Sequence, residues 1–150
     1  MKFNKLHENT DCNCIENAVI NDSTLFARKI NKPLPLEKDF LSKWEKAELN
    51  GHLPDLSNCK DLCGFKGISI NAWTNESQQQ IIDKYLTTFK ISPKHKDSIF
   101  IFKLKKEAGL VEFTPNRNDR FHFDLFKTDD FELDFLDTID VIYLKDHILK

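Results

Sequence analysis

Two hydrophobic periods alternate along the chain, and they place most of its elements. The first 22 residues are polar and follow neither period. Residues 23–30, STLFARKI, form a short apolar segment with β-branched members. A strand there puts Leu25, Ala27 and Lys29 on one face and Phe26, Arg28 and Ile30 on the other. Pro33 and Pro35 break it. From 36 to 48 the period is helical, with Leu36, Phe40, Trp44 and Ala47 (and Leu41) forming one stripe that Asn50-Gly51 closes. Residues 51–64 read as a loop. Residues 67–71 read as a strand, with Ile68 and Ile70 on one face and Ser69 on the other. Ser77 and Gln80 have the spacing of a capping box. Ile81, Ile82, Tyr85, Leu86 and Phe89 then make the apolar face of a helix that Ser92-Pro93 stops.

After residue 97 the period falls to two. The segment 98–105, SIFIFKLK, is apolar on both faces at its start, as a strand covered on both sides should be. Glu107-Ala108-Gly109 can turn the chain, so that 110–114 returns as the second strand of a hairpin. Residues 115–119 are rich in turn formers. Phe121, Phe123 and Leu125 alternate with His122, Asp124 and Phe126. Residues 131–135 fit a strand or a short helix, and 139–144 fit a last strand. The pattern predicts a single α+β domain over residues 1–150. It has a small, twisted, mostly antiparallel sheet, two main helices and an irregular Cys-containing segment at 1–22.

Composition supports one core: 150 residues, 40% of them apolar, are enough for a single domain. The net charge is only −2, but it is unevenly spread. Residues 84–106 hold seven Lys and one acid, and residues 107–140 hold ten acids and three bases. The two stretches can neutralise each other across neighbouring strands. Alternatively, Lys90, Lys94, His95, Lys96, Lys103, Lys105 and Lys106 make a phosphate-binding strip. Nucleic acid is disfavoured as its partner, because no exposed aromatics stand beside it to stack bases. The acidic run Asp129, Asp130, Glu132, Asp134, Asp137 and Asp140 lacks the order of a calcium loop. It reads as a solvated face, or as the face by which an inhibitor or immunity-type protein meets a basic protein partner. No apolar run approaches the ~18–20 residues of a membrane helix. No apolar stretch of a secretory signal is visible, so the chain is expected to be cytoplasmic. No phosphate loop, dinucleotide fingerprint or nucleophile elbow occurs.

In a cytoplasmic chain disulfides are disfavoured, and paired cysteines lean towards metal. Cys12 and Cys14 form one pair and Cys59 and Cys63 the other, both among loop-forming residues. The second spacing falls within the usual range for zinc, and the first is tighter. A structural zinc held by Cys12, Cys14, Cys59 and Cys63 would clip the N-terminal segment to the 51–64 loop, with His7 or His52 able to replace a cysteine. The plainer reading is four small buried side chains. A catalytic thiol lacks a suitably placed His or Asn.

Several of these segments fall in a familiar order. Leu25-Phe26-Ala27-Arg28 is followed by Gly67-Ile68-Ser69-Ile70, the helix at 78–89, the strands of 98–114 and then Phe121-His122-Phe123-Asp124. Over roughly residues 24–146 this order resembles the ADP-ribosyltransferase-like fold family. Gly-Ile-Ser stands where that family has Ser-Thr-Ser, and His122-Phe123-Asp124 stands where it has Glu-x-Glu. The resemblance implies a compact bacterial-type domain that binds or cleaves a nicotinamide dinucleotide, or a degenerate relative that keeps only the fold. It implies that Arg28 holds the dinucleotide phosphate or ribose and that Ser69 orients the nicotinamide ribose. Asp124, helped by His122, would stabilise positive charge at the anomeric carbon, with NAD as substrate. Residue by residue, the plainer alternatives are a surface ion pair for Arg28, an ordinary strand position for Ser69, and a cross-strand polar contact for His122 and Asp124.

Overall fold

The structure is a computed structural model that describes residues 1–148. Six strands, β1 (Phe26–Ile30), β2 (Ile68–Ala72), β3 (Ser98–Leu104), β4 (Gly109–Phe113), β5 (His122–Lys127) and β6 (Leu136–Tyr143), form one sheet. Three α-helices accompany it: α1 (Lys43–Leu49), α2 (Cys59–Lys66) and α3 (Gln78–Thr88). The sheet order is β4-β5-β2-β1-β3-β6, and every pairing is antiparallel. The chain is therefore α+β with an antiparallel sheet, as its periodicity predicts.

The expected hairpin of 98–105 with 110–114 does not form. β3 pairs with β1 and β6, while β4 lies at the far edge against β5. In a flat sheet β3 and β4 would stand four strand spacings apart, roughly 19 Å. The connection between them is only residues 105–108, and Lys106–Ala108 is a tight 3-10 turn. A chain that short spans roughly 17 Å even when fully stretched. The sheet must therefore curl. Phe26, Ile30, Ile68, Ile70, Phe100, Phe102, Val111 and Leu125 line the inside of the curl, and Phe40, Leu104, Ala108 and Leu136 complete that core. Gly109 makes the tight corner at the start of β4. Its φ is +151°, and a Cβ there would overlap the Phe126 carbonyl.

The opposite face of the sheet is divided. Over β1 and β3 it is covered by α3, through Ile81, Ile82 and Tyr85 against Ala27, Ile99 and Ile101. β3 is buried on both faces for this reason, which explains its unbroken apolar start. A capping box does open α3, but one turn earlier than expected. Thr74 and Ser77 bond each other's backbone N–H through their hydroxyls, at 3.1 and 2.8 Å. The Ser77 hydroxyl also donates to the Ala72 carbonyl at 2.6 Å, which ties the helix start to β2.

The segment expected as one helix from 36 to 48 is two elements. A 3-10 turn at Glu37–Phe40 buries Phe40, and α1 begins after Ser42 with a reciprocal Ser42–Glu45 cap. The 51–64 segment contains a helix that its Gly and Cys content concealed. Asn58 caps α2 by accepting from the Lys60 and Asp61 amides. Trp44 of α1 packs edge-on against Phe65 of α2. Lys66, buried, lies over the Trp44 ring and donates to the Leu6 and Glu8 carbonyls, so α2 also anchors the N-terminal segment.

The four cysteines form two disulfides, Cys12–Cys59 and Cys14–Cys63, with Cα–Cα distances of 5.5 and 5.2 Å. This overturns two expectations. The cysteines are not ligands of a structural zinc, and no metal-binding group of His, Cys, Asp or Glu occurs among the described residues. Disulfides persist in oxidising compartments and are rare in reducing ones, so the cytoplasmic assignment is replaced by an oxidising environment. The clip from residues 12–14 to the 51–64 segment exists, but sulfur–sulfur bonds make it.

No described helix is long and apolar enough to cross a membrane. The two sheet edges differ. The β4 edge is covered by a two-bond bridge from Val19 to Val111. The β6 edge carries a register irregularity opposite Ile101/Phe102, and Asp140 caps the Val141 amide itself, features that discourage strand addition. The acidic run is partly consumed within the chain. Asp129 accepts from the Asn4 and Lys5 amides, and Asp137 lies 3.7 Å from Lys105.

Candidate functional site

Where α3 stops, the outer face of β2, β5 and β4 is left for polar residues. Strand alternation decides which. Ile68, Ile70, Leu125 and Val111 point into the curl, so Ser69, Asp124 and Glu112 point outward in adjacent register. His122 shares that face, two residues before Asp124. Asn13, Cys14, Glu16 and Asn17 from the N-terminal segment, together with Lys60, Cys63 and Gly64 of α2, wall the space above them. Lys43 of α1 closes one side. The result is a cavity of about 520 Å³.

Within it the Ser69 hydroxyl lies 2.9 Å from His122 Nε2. On the other side of the ring, Nδ1 lies 3.1 Å from the Thr114 carbonyl and 2.9 Å from the Thr114 hydroxyl. A carbonyl can only accept, so these partners assign the ring proton to Nδ1. Nε2 of the neutral ring is then an acceptor, and the Ser69 O–H donates to it. This is the arrangement in which a histidine withdraws a proton from a hydroxyl or a water.

Asp124 stands directly across from Ser69 on one side and Glu112 on the other. It is buried, and Phe126 beside it is buried too. Burial pushes the Asp124 carboxyl above the usual carboxylate range, and the nearby Glu112 carboxyl pushes the same way. His122 when its ring is charged, the Thr114 side chain by hydrogen bonding, and Lys43 pull against the rise without cancelling it. A carboxyl raised by burial beside a second carboxyl is a combination acid–base enzymes use.

The expected site residues therefore separate. Ser69, His122 and Asp124 come together in one cavity, with Ser69 touching His122. Arg28 does not line it. β1 and β2 pair at only two positions, Phe26 with Ala72 and Ala27 with Asn71. Beyond them the Arg28 guanidinium bridges the gap, donating to the Asp39 and Ser69 carbonyls at 2.6 Å each. It lies over the Phe40 ring, and burial lowers its pKa. Both of its short hydrogen bonds are spent on backbone, one of them on the carbonyl of the site residue Ser69.

A second polar network holds the site from the α3 side. The Asn71 amide donates to both oxygens of Asp119, the Tyr85 hydroxyl donates to Asn71 Oδ1, and Lys84 pairs with Asp119 at 2.7 Å. Burial alone would raise the Asp119 carboxyl. The bonds from Lys84, Asn71 and the Phe121 amide outweigh it and hold the group below its usual value. Burial raises the Tyr85 phenol to about 12. Asn71 and the Phe121 amide flank the strand start that carries His122, so this network fixes the end of β5 nearest the site.

Sequence reasoning missed Thr114, Lys43 and Lys60 and left Glu112 outside the site. Glu112 and Thr114 stand two apart, which is the visible signal that they share a face. Using it requires knowing that β4 pairs with β5 and not with β3. No family model matches the chain, no curated protein matches it, and no solved structure matches it.

Proposed function

We propose that the chain is an enzyme that breaks a bond at the anomeric carbon of a ribose, and that the nicotinamide–ribose bond of NAD is its first candidate. The observation that carries this reading is the 2.9 Å contact of Ser69 with His122 Nε2, next to buried Asp124 and its cross-strand neighbour Glu112. The resemblance of its order of elements to ADP-ribosyltransferase-like domains directs it to NAD.

In this reading the carbon–nitrogen bond breaks with its electron pair leaving on nicotinamide. The ribosyl carbon becomes electron-poor, and the Asp124 and Glu112 carboxyls supply the negative charge that stabilises it. A water, or an acceptor hydroxyl, attacks that carbon and gives its proton to His122 Nε2. Ser69 orients the attacking group by its own hydroxyl. Thr114 keeps the ring in the tautomer that can accept. Lys43 and Lys60 at the wall take the place expected of Arg28 as cations available to the substrate's phosphates.

The test is nicotinamide release from NAD by the full chain with its disulfides intact. Turnover that falls about 10²- to 10⁴-fold in His122→Ala is expected of a general base. Release no faster than in buffer, or a rate that His122→Ala and Asp124→Asn both leave unchanged, overturns the reading.

A further inference from the structure

The lysine-rich stretch does not act as one strip in the fold. Lys84 pairs with Asp119, Lys103 stands opposite Asp137 in the β3–β6 ladder, and Lys105 reaches the same Asp137. Three lysines of the stretch with no carboxylate partner among the described residues, Lys90, Lys94 and Lys96, lie elsewhere, beyond the C-terminal end of α3. There Lys90, Lys94, His95 and Lys96 of the 89–97 loop meet Lys32, which follows β1, around an open hollow of about 600 Å³. All five side chains are exposed. The one acid lining the hollow is Asp97, and it is already engaged by Lys29 and by His95, each at 3.3 Å. A chain with a net charge of −2 thus presents a concentrated cationic surface, and none of its lining residues belongs to the polar cavity.

We propose that this hollow binds a sulfated polysaccharide chain. Four observations narrow the partner to that class. The surface is shallow and open, as suits an extended chain, and it offers ammonium groups spaced along a loop to repeated oxyanions. It lacks the row of exposed rings on which a nucleic-acid strand would stack, because the hollow's one aromatic, Phe89, has the Lys29 ammonium 4.3 Å over its face. It also lacks the cluster of exposed apolar anchors that would hold it in a lipid surface. The two disulfides fit an oxidising, extracellular setting, in which a polysaccharide partner lies outside the cell.

The test measures binding of the full, oxidised chain to heparin by titration calorimetry at 50 and 200 mM salt. Selectively desulfated heparin, a mixed-sequence single-stranded oligonucleotide and vesicles containing an anionic phospholipid serve as the other arms. Binding to heparin should weaken roughly fifty-fold between the two salt concentrations if three or four lysines release counterions. It should be lost on desulfation and in Lys90→Glu/Lys94→Glu/Lys96→Glu, and kept in Lys103→Glu/Lys106→Glu. The single change Lys94→Glu, at an exposed loop position, should weaken binding at least threefold without altering the melting temperature, and it decides the matter if the triple variant does not fold. No heparin binding at 50 mM salt overturns the proposal. So does equal binding by the parent and Lys94→Glu, or tighter binding of the oligonucleotide or the vesicles than of heparin.

Discussion

Gly67 and Asp124 are packed so closely that a Cβ added to the glycine would lie 2.9 Å from the Asp124 Cβ and 3.0 Å from its Oδ1. Gly67 ends α2, its amide bonded to the Cys63 carbonyl, and leads straight into β2. Its backbone is extended, so its use is not conformational freedom. It is the space a hydrogen leaves for the buried carboxyl. Gly67→Ala should therefore force Asp124 aside and cost about 1–3 kcal/mol, the usual range for an overpacked site. Asp124→Gly should recover most of that loss in the double variant, because it removes the atoms that clash. Chemical denaturation of the four proteins of this cycle is the measurement, and additive losses would show that the two residues do not press on each other.

Asp124 and Asp119 should give opposite pH signatures. Asp124 is raised in the fold, so it binds its proton more tightly folded than unfolded. Its contribution is complete below the ordinary value near 3.8 and is lost as pH rises through the raised folded value. Asp124→Asn should then be level with the parent in acid and more stable at neutral pH, while losing activity. Asp119 is lowered, so its contribution is present above the ordinary value and lost as pH falls through the folded one. Asp119→Asn should be less stable than the parent at neutral pH, with the gap closing in acid. Melting temperatures of both variants from pH 3 to 8 separate the two cases.

What periodicity alone reveals here is the element type, and what it hides is the pairing. The strands at 67–71, 98–105 and 121–126 were readable because apolar residues alternate or fill both faces. The short connection between 98–105 and 110–114 predicts a hairpin. It fails because Gly109, at φ +151°, turns β4 away from β3 and against Phe126. That one difference removed Glu112 and Thr114 from the expected site. Asp124 and His122 were legible as two residues on one face, and Ser69 as the polar position between Ile68 and Ile70. The role of Arg28 was not legible, since nothing local shows that β1 and β2 part after two residue pairs. The cysteines showed by their pairing along the chain that two segments meet, while the chemistry of the link follows from sulfur positions that spacing does not give.

The tautomer of His122 has its own consequence. Two Thr114 atoms face Nδ1, the hydroxyl at 2.9 Å and the carbonyl at 3.1 Å. Thr114→Val removes the first and keeps the second. The ring proton should stay on Nδ1, and NAD cleavage should fall less than tenfold. His122→Asn and Ser69→Ala act on the contact itself. The first should cost about 10²- to 10⁴-fold in turnover, and the second should cost less, because a water can replace the serine hydroxyl. Nitrogen NMR of the imidazole in Thr114→Val reads the tautomer directly. A proton on Nε2 in that variant would show that the hydroxyl, and not the carbonyl, sets it.

The two disulfides should behave as unequal partners depending on how many are removed. Each closes a loop with a sequence separation of nearly 50, 47 for Cys12–Cys59 and 49 for Cys14–Cys63. With both present, breaking one leaves the long loop closed by the other and frees only the small ring of residues 12–14 and 59–63. Chain entropy assigns about 2–3 kcal/mol to such a ring and about 4 kcal/mol to the long loop. Cys12→Ser/Cys59→Ser alone, or Cys14→Ser/Cys63→Ser alone, should thus cost about 2–3 kcal/mol, while the quadruple variant should lose more than twice as much. Function should follow the same order. Cys14, Cys63 and the residues around them form a wall of the cavity, so one remaining bridge keeps that wall in place and the loss of both releases it. Denaturation of the three variants, with NAD turnover measured beside it, tests this. Equal losses in the single-pair and quadruple variants would mean that the bridges do not share one loop in the way the fold shows.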